Sequence, residues 1–401
     1  MVVRKRVHIH ASLKFLIITA QCFGFFPVQG VSSNNLNFLK FSWMSVRVIF
    51  SLFICILGWF DACANIRFMI LEGFHPDYLN GALFDLTNAC FFTFFIILAQ
   101  DWPQLVREFA EMEKIFAIYE WPKYFNIKIK LISFIFLSLE FVEHFSVQCN
   151  KVIVAFHCKN STEQSLKHLF KKMSFHQIFD IIPYSHFIGV MLQVVNTCFA
   201  CCWTYVDLFI ILINLYIAAR FQQIARQVKF LKNNNFKSES KWKRVREGYT
   251  HICRICHLMN EKLSNFILLS FFTNVYFIIF HSFRSLTKRE THLETVYFAI
   301  SFGLLILRAT CVCWFGGSVY EKSEAPLHLL ASTSSQMYNI EIEKFVYAVG
   351  YQRVGFTGKN FFRINKSLIL KIVSAVLTYE LIFIQILGIS GKKASRYSLC
   401  E

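Results

Sequence analysis

Charge is what this sequence has little of. Only 17% of its 401 residues are charged, against about a quarter in an ordinary soluble domain. Apolar residues make up 55%, with 47 Phe and only 6 Pro. So little charge cannot cover a soluble surface, and the composition is that of an all-α, multi-pass membrane protein. Catalytic signatures are missing as well: there is no P-loop, dinucleotide fingerprint, HExxH or nucleophile elbow. Nothing in the chain calls for an enzyme, a metal or another cofactor. Acidic residues are scarce too, 25 against 42 Lys and Arg, for a net charge of +17. That excess could suggest nucleic acid, but its placement argues otherwise.

Seven apolar stretches are long enough to span a bilayer, at 46–70, 81–99, 131–156, 187–217, 264–284, 295–315 and 366–389. The segments that share a side with the N-terminus hold 27 Lys and Arg, and the opposite set holds 10. Basic residues stay cytoplasmic, so the N-terminus is expected inside and the C-terminus outside. That is the reverse of a G-protein-coupled receptor. Nucleic acid is not an expected partner; membrane lipid is. The sequon at Asn160 falls in an outer loop, where it can be glycosylated. Arg4, Lys5 and Arg6 before the apolar run 15–28 imitate a signal peptide, but Gln21 and Gly24 interrupt it. The run reads as a cytoplasmic or interfacial helix. Of 14 cysteines, only Cys158 and Cys400 lie in outer segments, with Cys149 near the edge. At most one disulfide is expected.

His251, Cys253, Cys256 and His257 contain the Cys-x-x-Cys-His spacing of haem attachment. The segment is basic, helical and predicted inside, and four ligands within seven residues spread round a helix. Ionisable residues inside the spans say more: Asp61, Asp85, Glu140, Glu143, His144, Asp207 and Arg308. At such depth they face the bundle or a wet cavity, and some are expected to be structural ion pairs. Span direction sorts them by depth. Asp85 and Asn88, then Glu143, His144 and Gln148, then Gln193, Asn196, Trp203 and Tyr297 converge on the outer half. Carboxylates and amides that bind hydroxyls, beside aromatic faces, suit a polyhydroxylated ligand. An amine would fit the same acids.

The last span carries a polar stripe. On an ideal helix Lys371, Ser374, Thr378 and Gln385 share one narrow face with Leu381, and Glu380 falls opposite. Polar groups in hydrocarbon need water or a protein partner. A pore helix provides both, whereas a helix packed inside a bundle provides bonded neighbours; the stripe alone does not separate the two.

Thr378-Tyr379, five residues, then Gln385 resembles the signature in the last span of insect gustatory receptors. Other motifs are similar to the sugar-receptor subfamily and occur in order: the run 20–28, the run 41–47, Trp102-Pro103, Val142-Glu143-His144 and the run 203–209. The resemblance implies a tetrameric, ligand-gated cation channel of the plasma membrane, a taste receptor whose last span lines a central pore. Each subunit would hold an extracellular-facing sugar pocket among its first six spans. On that basis 1–45 is a cytoplasmic N-terminal segment and 46–315 the ligand-binding domain. Segments 219–262 and 316–366 form a cytoplasmic anchor, 367–389 is the pore helix, and 390–401 is an extracellular tail. Ile386 stands where the family signature has Phe, which makes the apolar constriction slimmer.

The expected ligand residues are Asp85, Asn88, Glu143, His144, Asn196, Trp203 and Tyr297. The expected pore and gate residues are Thr378, Leu381, Gln385 and Ile386. The expected partners are a sugar, cations and other gustatory receptor subunits in a homo- or hetero-tetramer. Rival readings are a seven-helix metabotropic receptor, a transporter, and an auxiliary subunit of a heteromeric sugar receptor.

Overall fold

The computed structural model describes residues 9–390, except 34, 123, 160, 286–291 and 353. The side chains of 292–294, 297, 383, 384 and 386–390 also lie outside the described set. Helices dominate. Short α1 (Ile9–Cys22) is followed by α2 (Val46–Glu72), α3 (Pro76–Phe116) and α4 (Phe125–His157). The segment after α4 folds into α5 (Thr162–Lys167), a π-helical turn (His168–Ser174) and α6 (His176–Phe179). Then come α7 (His186–Asn233), α8 (Glu239–Ser285), α9 (His292–Ala331), α10 (Ile340–Tyr351) and α11 (Ser367–Ser390). Among the described residues, five helices are long and apolar enough to cross a membrane: α2, α3, α7, α8 and the Phe298–Ala331 part of α9. The long helices α4 and α11 cover the other two apolar stretches.

Helix starts follow local chemistry. Ser45 caps α2 by accepting the Val48 amide at 3.2 Å, and His75 with Pro76 opens α3. Length then sets the shape. Helices α7 and α8, of 48 and 47 residues, are each about 70 Å long, more than twice a bilayer's hydrocarbon core. They therefore run on into a second, water-side layer. Helix α7 is the axis of the fold, with 83% of its most apolar stretch buried. Around it Phe25, Phe92, Phe95, Tyr205 and Phe209 interlock at centroid separations of 4.8–6.1 Å. Gly58 of α2 makes room for the Phe199 ring, which sits where a Cβ would be.

In the second layer Trp242, Tyr249, Ile342 and Phe345 are fully buried between α8 and α10. Arg246 of α8 binds Glu341 of α10 at 2.9 Å. The N-terminal helix is fastened here too. The Ile9 amide donates to Glu113 at 2.8 Å. The same carboxylate accepts from the Tyr216 hydroxyl and lies 3.4 Å from Arg220. Arg220 in turn stacks over Trp121 at 4.1 Å.

A small antiparallel hairpin, β1 (Thr357–Gly358) with β2 (Phe362–Arg363), precedes α11. Its turn holds Lys359 and Asn360 at positive φ. Asn260 of α8 pins it by accepting the Thr357 amide at 2.7 Å. Beyond the hairpin the chain lies against Gly316 and Gly317 of α9. A Cβ at Gly317 would come within 2.8 Å of the Lys366 amide nitrogen. Lys366 then reaches Glu321 at 2.7 Å and lies over Trp314 at 4.4 Å. Cys158 is disulfide-bonded, whereas the other twelve described cysteines are free.

Candidate functional site

Two regions carry polar chemistry at membrane depth. One lies among α3, α4, α7, α8 and α9, and the other is α11.

In the bundle, Arg308 of α9 is the centre of a buried network. It lies 3.6 Å from Glu140 of α4 and 3.7 Å from Asp207 of α7. Thr204 donates to Glu140 and accepts from Arg308. Asp207 also accepts from Ser270 at 2.5 Å and from Asn274 at 3.1 Å, both on α8. Two carboxylates therefore share one guanidinium, and hydroxyls and an amide satisfy the remaining lone pairs. Four helices are tied by this network.

Trp203 sits directly above it. The Arg308 guanidinium lies 4.6 Å from its ring centroid. Phe277 and Phe84 flank the ring at 4.8 and 5.7 Å, and among the described residues its Nε1 has no partner. Asn88, one turn beyond Phe84 on α3, donates to the Phe84 carbonyl at 2.9 Å, while its Oδ1 has no such partner. Asn196 is half-buried on the Trp203 face of α7. Glu143 accepts from Ser301 of α9 at 2.5 Å. Asn88 of α3, Glu143 of α4 and Asn196 and Trp203 of α7 thus carry the polar and aromatic groups here, with Ser301 of α9 bonded to Glu143.

The other predicted ligand residues go elsewhere. Asp85 is buried and turned toward α2, where Asn65 donates to it at 2.5 Å. Beside it Asp61 accepts from Gln177 of α6 at 2.8 Å. Sequence reasoning named neither amide, because nothing local in the chain links residue 177 to residue 61. His144 faces α7 and pairs with Thr197 at 3.2 Å. It lines a cleft of about 600 Å³ between α4 and α7 that Asp85, Asn88, Glu143, Asn196 and Trp203 do not line. Tyr297 lies on α9, but its side chain, like that of Ile386 and all of Asn160, lies outside the described residues. Cys253 and Cys256 are buried in α8 while His257 is exposed. Among the described residues no His, Cys, Asp or Glu group of three or more could hold a metal.

Helix α11 is two-faced. Ile372 and Val376 pack against Ile278 of α8 and Phe302, Ile306 and Ala309 of α9, around an apolar gap of about 140 Å³. Glu380 is half-buried. Lys371, Ser374, Thr378, Leu381 and Gln385 are all exposed. Thr378 bonds back to its own helix, donating to the Ser374 carbonyl at 2.8 Å.

The pattern of the trehalose receptor family matches residues 4–400. "Gustatory receptor for sugar taste 64f" of Drosophila melanogaster is 26% identical, over 94% of this chain and 80% of its own length. "Gustatory receptor 5a for trehalose" of the same species is 25% identical, over 94% of this chain and 84% of its own. In three dimensions the chain is similar to the insect olfactory receptor OR5 of Machilis hrabei in complex with eugenol. That match has a TM-score of 0.66 at 14% identity, over 93% of this chain and 97% of that one. With pattern, relatives and fold agreeing along the whole chain, it belongs to the trehalose receptor family, the sugar branch of the insect gustatory receptors, which are multi-pass plasma-membrane receptors and not enzymes.

Proposed function

We propose that the chain is one subunit of a tetrameric, sugar-gated, non-selective cation channel. It would cross the membrane seven times, N-terminus inside and C-terminus outside, with α11 lining the pore. The observation that carries this reading is the two-faced α11. Ile372 and Val376 pack on α8 and α9, but among the described residues nothing in the chain covers the polar face. A helix bonded inside its own bundle would bury that stripe. Four copies meeting round an axis would give it water on one side and neighbours on the other.

Thr378, Leu381, Gln385 and Ile386 then form the narrow path, with Ile386 supplying a slim apolar gate. The sugar would enter from outside, between α3, α4, α7 and α9. Trp203 offers a ring face, and Asn88, Asn196, Glu143 and Tyr297 offer hydroxyl partners. Asp85 and His144 would act from neighbouring positions. Segments 219–262 and 316–366 would form the cytoplasmic anchor, and Asn160 would carry a glycan. The Drosophila relatives named for sugar taste and for trehalose support a sugar as ligand. Ligand gates only by binding the open state better than the closed one.

The test is expression of the chain alone in a non-insect cell, with a sugar panel and current recording. Sugar-evoked currents in excised patches are expected. A chain that responds only beside a second receptor would be an auxiliary subunit. Epitope tags at the N-terminus that are accessible on intact cells would instead favour a metabotropic receptor.

A further inference from the structure

The cleft between α4 and α7 has a chemistry of its own. It runs along α4 from Leu137 to Val152 and along α7 from Gln193 to Tyr205. Its volume, about 600 Å³, lies within the range of small-molecule pockets. Five phenyl rings line it: Phe23, Phe25, Phe141, Phe145 and Phe170. No Lys or Arg does, and its one carboxylate, Glu140, is already held by Thr204 and Arg308. His144 and Thr197 of the lining pair with each other, and two of its buried polar atoms have no partner among the described residues, the Tyr205 hydroxyl and Gln193 Nε2. Tyr205 is 1% exposed, so leaving its hydroxyl bare is costly. On α7 these two lie about 18 Å apart at 1.5 Å per residue. The α4 side is open: Phe141, Phe145 and Val152 are 69%, 59% and 41% exposed. In a membrane protein that side faces hydrocarbon.

We propose that this cleft binds an uncharged, elongated, ring-containing amphiphile taken laterally from the bilayer, of the sterol class. The absence of a basic lining residue disfavours an anionic head. The aromatic plates suit a flat, rigid body, and a single hydroxyl can satisfy Tyr205 or Gln193 at either end. The cleft shares His144 with the proposed sugar site but has its own α7 wall: Gln193, Thr197, Cys201 and Tyr205 lie roughly 130° round α7 from Asn196 and Trp203. The inference rests only on the chain being a membrane protein and not on sugar gating.

The test uses the full-length chain in nanodiscs with a photoreactive diazirine analogue of cholesterol. Labelling is expected to concentrate on peptides covering 137–152 and 193–205, and to be displaced by unlabelled cholesterol. Thr197→Phe, which fills the cleft, should abolish it. Gln193→Leu should weaken labelling about fivefold, the worth of one hydrogen bond. Gln193→Leu also serves if the filled variant does not fold, provided it elutes like the parent. Labelling spread evenly over α2, α4 and α11, or unaffected by both substitutions, would overturn the proposal. So would labelling of the same peptides by a photoreactive phosphatidylcholine that cholesterol does not displace.

Discussion

At the scale of single residues, Arg308 is the critical side chain. Removing it leaves Glu140 and Asp207 buried without a counter-ion. Breaking such a network costs about 3–5 kcal/mol. Arg308→Ala is therefore expected to unfold well below the parent in a detergent melting experiment; an unchanged melting curve would sink this account. Sequence reasoning identified all three residues as ionisable groups at membrane depth. It could not pair them, because the pairing depends on how α4, α7 and α9 face one another. The same limit explains Asp85, which the helix places against Asn65 and not beside Trp203. Outside the membrane, Arg246 donates to Glu341 and holds its carboxyl below the ordinary value of 4.5. A carboxyl depressed in the folded state stabilises fully above its unfolded value and loses that contribution as pH falls through the folded one. Parent and Glu341→Gln should thus differ in melting temperature at neutral pH and converge in acid below about pH 4.5.

At the scale of elements, apolar runs located the helices well and their ends poorly. The span at 187–217 and the basic segment that follows form one continuous helix, α7. Arg226, Lys229 and Lys232 make the extension look solvated, yet Ile224, Val228 and Leu231 on its other face are buried. Bilayer thickness sets where a span ends, but it does not end a helix. The π-helical turn between α5 and α6 carried no sequence signal at all. The Gly316-Gly317 pair was likewise silent, because its role is visible only where residues 364–366 rest on it. Gly317→Val should push Lys366 off α9 and destabilise by about 1–3 kcal/mol. Gly350→Ala, on a helix with open space around its Cα, should be neutral or stabilising by up to about 1 kcal/mol. Thermal unfolding of the two variants side by side checks the contrast.

At the scale of the whole molecule, α11 leaves its polar stripe exposed among the described residues. The stripe was legible in the sequence as a stripe; its lack of a cover within the subunit needed the placement of α8 and α9. If four copies close round that face, cysteine at Leu381 should cross-link between subunits under mild oxidant. Cysteine at Ala375, on the half-buried side, should not. Dimer bands on a non-reducing gel distinguish them, and equal cross-linking at both positions would count against a pore-facing stripe. Gln385→Ala should alter conductance or open probability in single-channel records. A channel unchanged in both would remove Gln385 from the lining.

The fastening of α1 has a consequence for how the chain is made. The Ile9 amide rests on Glu113, and Glu113 is held by Tyr216 and Arg220. The first helix therefore cannot reach its final seat until α7 has left the ribosome, about 200 residues later. At typical synthesis rates that is a wait of about 10–40 s. During it the buried face of Leu13, Leu16, Ile17 and Ala20 has only its α3 and α4 partners and lacks α7, so the seat of the nascent helix is incomplete.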